Sequence, residues 1–248
     1  MNVRDRVALV TGASSGIGLA TARLLSAKGA RVALAARSKD TLDAISQELP
    51  GSLPVPCDVT YPAQVTAMVR LAEERFGRID ILVNSAGQGY DATIEETDLA
   101  QFQRLFDLYL AGPLVAMQAV IPAMRRRGEG AIVNIASGSA LMHLPGMGAY
   151  AAVKAALAHL SLTAREELKD DGITVSVVYP YVTLTNFDRN TITEGGGGEE
   201  PVGEQPGGSF DYLPHPPDTP EFLAGKIVEG IERGAAEIIP HEWMKPGA

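Results

Sequence analysis

The feature that most constrains the fold is a regular alternation of short apolar runs with longer helical stretches. The apolar runs are "RVALVTG" (6–12), "RVALAAR" (31–37), "LPVPC" (53–57), "DILVNSAG" (80–87), "GAIVNIAS" (130–137) and "ITVSVVYP" (173–180). Such nearly continuous apolar character is typical of strands that are buried on both faces of a parallel sheet. The helical patterns lie near 16–28, 39–49, 61–76, 98–127, 147–170 and 219–233, followed by a short strand at 236–240. The alternation predicts an α/β fold, a doubly wound parallel sheet with helices on both faces.

One segment interrupts the alternation, and nothing else marks a domain boundary. Residues 186–219 contain four consecutive glycines and several prolines, a composition that does not support a regular helix or strand. We therefore expect one domain spanning 1–248, with a flexible lid loop at about 186–219. Residues 194–208 are expected to be mobile, either as a lid or as a plain insert, whereas the aromatic residues on both flanks are suited to close over a site.

Charge and cysteine content narrow the classes of function. The formal net charge is −9 and no basic tract offsets it, which argues against a nucleic-acid partner. The single cysteine, Cys57, excludes an intrachain disulfide and is expected to be a small buried residue. The N-terminus lacks the apolar core of a signal peptide, and we see no apolar run of the ~18–20 residues that a membrane helix needs. We expect a cytoplasmic protein without a membrane partner and, because the histidines lack ligand-spaced partners, without a metal.

The stretch "TGASSGIG", residues 11–18, follows the first predicted strand and opens the first predicted helix. Gly12, Gly16 and Gly18 permit a tight turn and a close approach of the backbone to a ligand. The N-terminus of the helix offers N–H groups and a positive dipole end to a pyrophosphate. In this strand–turn–helix context the pattern predicts a dinucleotide site.

A tyrosine and a lysine stand four residues apart in the alanine-rich stretch "AYAAVKAAL", residues 149–157. Residues at this spacing share one face of a helix, so Tyr150 and Lys154 are expected to lie one above the other. A lysine charge ~5 Å from the phenol, at an effective dielectric of ~20, contributes about 3 kcal/mol. We therefore expect the pKa of Tyr150 to fall to roughly 8, where the phenol is suited to acid–base catalysis.

Several motifs in this order resemble those of the short-chain dehydrogenase/reductase family. They are Thr11 to Gly18, "CDV" at 57–59, "NSAG" at 84–87, "IVNIAS" at 132–137, Tyr150-x-x-x-Lys154 and the segment at Pro180. The resemblance covers about 5–185 and, more weakly, 218–240. It implies a Rossmann-like NAD(P)-dependent oxidoreductase that interconverts a carbonyl and a secondary alcohol of a small-molecule substrate. It also implies a homotetramer or homodimer assembled through the helices at 98–127 and 147–170.

The resemblance assigns roles to individual residues. Tyr150 exchanges a proton with the substrate oxygen, Lys154 holds the nicotinamide ribose and lowers the pKa of the tyrosine, and Ser137 positions the oxygen, with Ser139 as a nearby alternative. The residues expected to bind the cofactor are Gly12, Ser14, Ser15, Gly16, Ile17, Gly18, Arg37, Ser38, Asp58, Val59, Asn84, Ala86, Gly87, Tyr150, Lys154, Pro180, Thr183 and Thr185.

The residues after the second strand predict which nucleotide is preferred. An acidic residue there would bond the adenosine ribose and favour NAD, but this chain has Ala36 at that place. Arg37 and Ser38 follow, and a guanidinium suits a 2′-phosphate. NADP(H) is therefore favoured over NAD(H), the alternative being that Arg37 stacks on the adenine or faces solvent.

Two positions depart from the family pattern. Tyr109 stands where the family has an asparagine that supports a water-linked proton path to the lysine, and Tyr181 stands where it has glycine. Gly112 is kept, so we expect the helix to loosen locally near it and free a backbone carbonyl. The Tyr181 ring is expected to narrow the nicotinamide side or the substrate pocket. These departures leave open a second interpretation, a nucleotide-binding scaffold or sensor with little or no turnover.

Overall fold

The computed structural model describes residues 1–185, 187, 191–194 and 214–245. The strands are β1 (Val7–Thr11), β2 (Arg31–Ala36), β3 (Leu53–Pro56), β4 (Ile81–Asn84), β5 (Tyr90–Asp91), β6 (Gly130–Ile135), β7 (Ile173–Val178), β8 (Ile192–Thr193) and β9 (Glu237–Ile238). The α-helices are α1 (Gly16–Ala27), α2 (Lys39–Glu48), α3 (Pro62–Phe76), α4 (Leu99–Phe106), α5 (Gly112–Arg127), α6 (Gly148–Leu168) and α7 (Pro220–Arg233).

The main sheet has seven strands in the order β3-β2-β1-β4-β6-β7-β9, and every pair is parallel. The chain leaves β1 toward one edge through β2 and β3, then returns to the other side of β1 with β4. The order of strands therefore reverses between β1 and β4, and in such sheets ligands bind outside the carboxyl ends of the strands at this point. The predicted doubly wound α/β sheet is confirmed.

Helices cover both faces of this sheet because its central strands are apolar throughout. All five residues of β1 and all six of β6 are buried. On one face, α1, α2 and α7 pack on side chains such as Val10 and Val133; on the other, α3, α5 and α6 pack on side chains such as Leu9 and Ile132. Alternate residues of one strand thus pack into two hydrophobic cores, one on each face of the sheet. This explains the continuous apolar runs in the sequence.

The helix predicted at 98–127 is one continuous helical run with a wider turn inside it. Residues Asp107–Ala111, between α4 and α5, form a π-helical turn, and the Gly112 N–H bonds to the Asp107 carbonyl five residues back. Bonding to the residue five back frees the Leu108 carbonyl, so the helix loosens where Gly112 led us to expect it. Contrary to the sequence expectation, one helical run, Leu99–Arg127, is long enough and contains an 18-residue window apolar enough (mean hydropathy 1.5) to cross a membrane. Core helices of soluble proteins meet the same test.

A two-stranded parallel ladder, which the sequence did not predict, lies apart from the main sheet. In it β5 pairs with β8, with Tyr90 opposite Ile192 and Asp91 opposite Thr193. The predicted lid lies mostly outside the described residues, as does all of 194–208 except Glu194. Its described flanks are held by backbone hydrogen bonds, and the single domain over 1–248 stays a prediction.

Candidate active site

The glycine loop between β1 and α1 adopts a conformation that its glycines require. Gly12 and Gly16 have φ of +67° and +53°, the left-handed region that favours glycine. A Cβ on Gly12 would lie 2.6 Å from the Ser85 carbonyl oxygen, and one on Gly18 would lie 2.4 Å from the Gly12 carbonyl oxygen. Ser15 is the N-cap of α1, but its side chain makes no capping hydrogen bond. The N–H groups of the first turn are thus available to an anion, as a pyrophosphate site requires.

The glycine loop is fixed against the "NSAG" segment that follows β4. The Thr11 hydroxyl accepts hydrogen bonds from the backbone N–H of Ser85 (3.0 Å) and of Ala86 (3.2 Å). Behind them the Asn84 amide donates to the Asn134 side chain at 2.8 Å. The Asn134 amide in turn donates to the Ser161 hydroxyl of α6, also at 2.8 Å. This buried polar chain links the strand ends of the predicted cofactor site to the helix that carries Tyr150.

Helix α6 places Tyr150 and Lys154 on the same inward face, as predicted. The Lys154 ammonium lies 5.6 Å from the centroid of the Tyr150 ring and donates a 2.8 Å hydrogen bond to the Ile135 carbonyl at the end of β6. Both side chains are buried, with exposed fractions of 6% and 4%. The pair therefore lies at the carboxyl end of the sheet, the end at which the glycine loop follows β1.

The Tyr109 ring lies directly beside this pair. The Lys154 ammonium is 3.7 Å from the centroid of the Tyr109 ring, and the Tyr109 and Tyr150 rings meet edge to face at 5.7 Å. The Tyr109 hydroxyl accepts from the Gln88 N–H at 2.7 Å and donates to the Gln88 carbonyl at 2.6 Å. Sequence reasoning located Tyr109 but gave no reason to expect its ring over the ammonium.

Ser137 is held at the start of the short 3-10 helix Gly138–Leu141, which follows β6. Its hydroxyl oxygen accepts hydrogen bonds from the backbone N–H (3.1 Å) and the hydroxyl (2.9 Å) of Ser139. Ser137 is partly exposed whereas Ser139 is buried. Ser137 thus lies near enough to Tyr150 to lower the pKa of its phenol, and Ser139 lies behind Ser137 as a supporting partner.

Burial shifts the pKa of Tyr150 upward, whereas the sequence predicted that it would fall. It raises the pKa of the Tyr150 phenol well above its ordinary value; the neighbouring Ser137 and Tyr109 hydroxyls lower that pKa by a smaller amount, and the Asp91 charge raises it. Burial also lowers the pKa of Lys154 well below its usual range. The expected phenol pKa of roughly 8 is wrong, because desolvation exceeds the attraction of the lysine. At neutral pH the phenol is protonated.

The predicted adenosine end of the site lies after β2 and β3. Ala36 is buried, and Arg37 is exposed at the end of β2. The Ser38 hydroxyl caps α2 by accepting from the Thr41 N–H at 3.4 Å. The Asp58 carboxylate accepts from the N–H (3.0 Å) and the hydroxyl (2.7 Å) of Thr60, which fixes its orientation.

The segment after β7 reaches back to the glycine loop. A Cβ on Gly16 would lie 3.1 Å from the Thr185 methyl group, so Thr185 and the loop are in close contact. The Pro180 carbonyl accepts from the Gly138 N–H at 2.8 Å, and the Thr183 hydroxyl donates to the Tyr181 carbonyl at 2.7 Å. These contacts place all three predicted residues of this segment near the strand ends.

The Tyr181 ring packs against the C-terminal segment, and the expectation that it narrows the nicotinamide side or the substrate pocket stays a prediction. Its ring meets the Trp243 ring edge to face at 4.9 Å, and its hydroxyl donates to the His215 carbonyl at 3.4 Å. Trp243 is stacked between the rings of His215 and His241, and the His241 imidazole bonds to the Asp218 carboxylate at 2.8 Å. Tyr181 therefore belongs to an aromatic stack that fixes the C-terminal segment.

An apolar cleft of about 450 Å³ opens on the outer side of Ser139. The loop "LMHLP" and one face of α6 form its walls, which consist mainly of methyl and methylene groups. The lining residues are Ser139, Ala140, Met142, His143, Leu144, Pro145, Gly148, Ala151, Ala152 and Ala155. His143 is the one histidine among these lining residues.

Sequence reasoning missed Asp91 and named Phe187 only as one of the aromatic residues that flank the predicted lid loop. Asp91, on β5, lies close enough to Tyr150 for its charge to act on the phenol, and burial raises the pKa of its carboxyl. Phe187 lies 6.1 Å, ring to ring, from Tyr150. Asp91 stands in no recognisable motif, and its position is fixed by the pairing of β5 with β8. Within the described ranges no cluster of three or more His, Cys, Asp or Glu side chains could hold a metal.

Comparisons with known proteins agree with this geometry. Residues 6–195 match the sequence profile of the family described as short chain dehydrogenase. An uncharacterised oxidoreductase of Staphylococcus epidermidis is 35% identical over 191 residues, which cover 76% of this chain and 83% of the relative.

Solved structures show the same architecture with either nucleotide. L-sorbose reductase from Gluconobacter frateurii, complexed with NADPH and L-sorbose, superposes with a TM-score of 0.84 at 31% identity, covering 96% of this chain and 97% of that one. A 3-ketoacyl-(acyl-carrier-protein) reductase from Brucella melitensis, complexed with NADH, superposes with a TM-score of 0.83 at 25% identity, covering 96% of each chain. With the profile match over residues 6–195, this likeness shows that the chain belongs to the short-chain dehydrogenase family and is an NAD(P)-dependent oxidoreductase.

Proposed function

We propose that the protein is an NADP(H)-dependent oxidoreductase that interconverts a carbonyl and a secondary alcohol. The observation that carries this proposal is the meeting of Ser137, Tyr150 and Lys154 at the carboxyl end of the sheet, next to the glycine loop. The left-handed glycines and the uncapped first turn of α1 fit a pyrophosphate. A bound nicotinamide would supply or accept the hydride.

The residues of this chain would handle the oxygen and the proton of the substrate. The Ser137 hydroxyl would orient the carbonyl oxygen by hydrogen bonding, and the Tyr150 phenol would donate its proton to that oxygen. Because burial keeps the phenol protonated at neutral pH, the site is suited to carbonyl reduction. The Lys154 charge would stabilise the phenolate that remains and bond the ribose hydroxyls.

Substitution of Tyr150 tests this assignment. Tyr150→Phe keeps the ring but removes the proton donor, so kcat/KM should fall by about 10²–10⁴-fold while the Kd for NADPH stays unchanged. Tyr90→Phe is a matched control, because Tyr90 is buried in the same apolar cluster and its hydroxyl accepts from the Asp98 N–H. The measurement is steady-state consumption of NADPH over a panel of carbonyl compounds. Substantial activity in Tyr150→Phe would overturn the assignment.

The preference for NADP(H) rests on Arg37. Its exposed side chain at the end of β2, next to Ala36, is suited to a 2′-phosphate. A charge-assisted hydrogen bond contributes about 1.5–3 kcal/mol, so NADPH should bind about ten- to a hundredfold more tightly than NADH. Arg37→Ala should remove most of that difference, whereas Arg70→Ala on the exposed face of α3 should leave it. Equal Kd values for both nucleotides in the wild type would refute the preference.

The apolar cleft beside Ser139 supports a small substrate with apolar surface.

We also propose a soluble cytoplasmic dimer or tetramer without a membrane or nucleic-acid partner. The exposed apolar side chains of the long helical run support the assembly: Leu99 and Phe106 have exposed fractions of 80% and 47%. Sedimentation of the wild type and of Phe106→Glu tests it, because a charge in an apolar interface should favour the monomer.

A nucleotide-binding sensor is the second candidate, and the departure at Tyr109 is what favours it. It predicts tight NADPH binding without turnover of any carbonyl or alcohol in a broad panel. The same NADPH-consumption assay separates the two candidates.

A further inference from the structure

We propose that Tyr109 is a positioning residue, whose ring face holds the charged Lys154 ammonium beside Tyr150 in place of the family's asparagine. This inference rests on the proposed function of Tyr150 and Lys154. It goes beyond that function because it assigns an electrostatic task to a residue outside the expected pair.

The surroundings of Lys154 are those of a cation that needs a further partner. The ammonium is buried and makes one hydrogen bond, to the Ile135 carbonyl. Among the described residues no carboxylate forms an ion pair with it, and desolvation lowers its pKa, which disfavours the charged form. A buried charge requires compensation. The Tyr109 ring, whose centroid is 3.7 Å away, provides it, since the electron-rich face of an aromatic ring attracts a cation within about 6 Å.

The Tyr109 ring is held so that it must present this face. Its hydroxyl bonds to both the N–H and the carbonyl of Gln88, which prevents the side chain from rotating away. The Tyr150 ring packs edge to face against it with an interplanar angle of 84°. A Cβ on Gly87 would lie 3.0 Å from the Tyr109 hydroxyl oxygen, so this position leaves little room for a larger residue. Two contacts thus orient the ring, and the ring orients the lysine.

The pH dependence of turnover and NADPH affinity has to be interpreted with the titratable groups that surround Lys154. Tyr109 faces it from the π-helical turn and Tyr150 from its own helix, while Asp91 on β5 acts on Tyr150. Turnover and NADPH affinity should both fall as rising pH deprotonates Lys154. Lys154→Met should abolish this fall in NADPH affinity. Asp91→Asn should leave the pH midpoint of the fall unchanged.

The test compares variants that separate the shape of the ring from its charge distribution. Tyr109→Phe keeps the ring face, so the midpoint of the fall should remain where the wild type has it. Tyr109→pentafluorophenylalanine keeps the ring but reverses its electrostatic face, and Tyr109→Leu removes the ring. Both should move the midpoint to lower pH by about 1.5 units, since the charged lysine loses a desolvated cation–π contact.

Loss of stability alone would not imitate this result. All three variants lose the hydroxyl contact with Gln88 and so should share a lower Tm, but only the last two should shift the midpoint. An unshifted midpoint in the pentafluorophenylalanine variant would overturn the proposal, even if Tyr109→Leu fails to fold. Because NADPH affinity is measured by fluorescence without turnover, an inactive wild type would count against the proposed function and leave this test valid.

Discussion

A methyl group added at Gly18 should destabilise the protein, although the same change stabilises most helices. Gly18 lies in the first turn of α1, where alanine would normally be preferred over glycine by about 1 kcal/mol. The new Cβ, however, would lie 2.4 Å from the Gly12 carbonyl oxygen and 2.8 Å from its carbon. Both atoms belong to the backbone, so no side-chain rotation relieves the contact.

The size of the effect follows from the displacement needed. An ordinary contact begins near 3.4 Å, so the glycine loop must move by about 1 Å. Overpacking of this kind costs about 1–3 kcal/mol. Gly225, in the exposed face of α7, is the matched control because a Cβ there meets no atom within 4 Å. Since the intrinsic gain is common to both sites, Gly18→Ala should melt about 2–12 °C below Gly225→Ala.

Thermal unfolding and NADPH titration of both variants check the reasoning. Gly225→Ala should match or exceed the wild-type Tm and keep its Kd for NADPH. Gly18→Ala should bind NADPH about tenfold or more weakly, because the displaced loop is the predicted pyrophosphate site. Equal Tm values and equal Kd values for the two variants would refute the close contact as described.

Three further changes have expected outcomes. Ser161→Ala leaves the Asn134 amide without its 2.8 Å acceptor and should lower the free energy of unfolding in urea by about 1–3 kcal/mol. Asp80→Ala removes a fully buried carboxylate that accepts from the Arg78 guanidinium at 2.7 Å, and should cost about 3–5 kcal/mol in the same assay. Burial, with a smaller effect of the Asp58 charge, raises the pKa of Cys57 from 9.0 to about 11. A folded-state pKa above the unfolded one means that stability holds below pH 9 and declines toward pH 11, so the wild type should lose stability over that range relative to Cys57→Ala, and native Cys57 should react slowly with thiol reagents at pH 8.

The sequence was sufficient to predict the fold, because strands that are short and buried on both faces appear in it as continuous apolar runs. Apolar runs such as 6–12 and 173–180 contain β1 and β7, and the predicted helix 147–170 contains α6. The glycine loop was predictable for a related reason, since strand, turn and helix follow each other within one local segment. Tyr150 and Lys154 share a helix, so their spacing alone placed them on one face.

What the sequence could not predict depends on long-range packing. The face of the Tyr109 ring meets Lys154 from a different helix, and no local pattern specifies that approach. The pKa of Tyr150 was misjudged because its burial is set by Phe187 and Tyr109, which lie far apart in the chain. The packing of Tyr181 on Trp243 could not be predicted, because the two residues are separated by more than sixty positions in the chain.

The two short pairings that flank residues 195–213 have an evolutionary consequence. On one side the Ile192 and Glu194 N–H groups bond to the carbonyls of Gly89 and Asp91; on the other, Thr183 and Asp218 form a parallel β-bridge. Both ends of the intervening chain are therefore anchored to the domain independently of what lies between them. The entropy of closing such a segment grows only with the logarithm of its length, about 0.6 kcal/mol per doubling. Insertions and deletions between these two anchors should therefore leave the sheet and the polar centre intact.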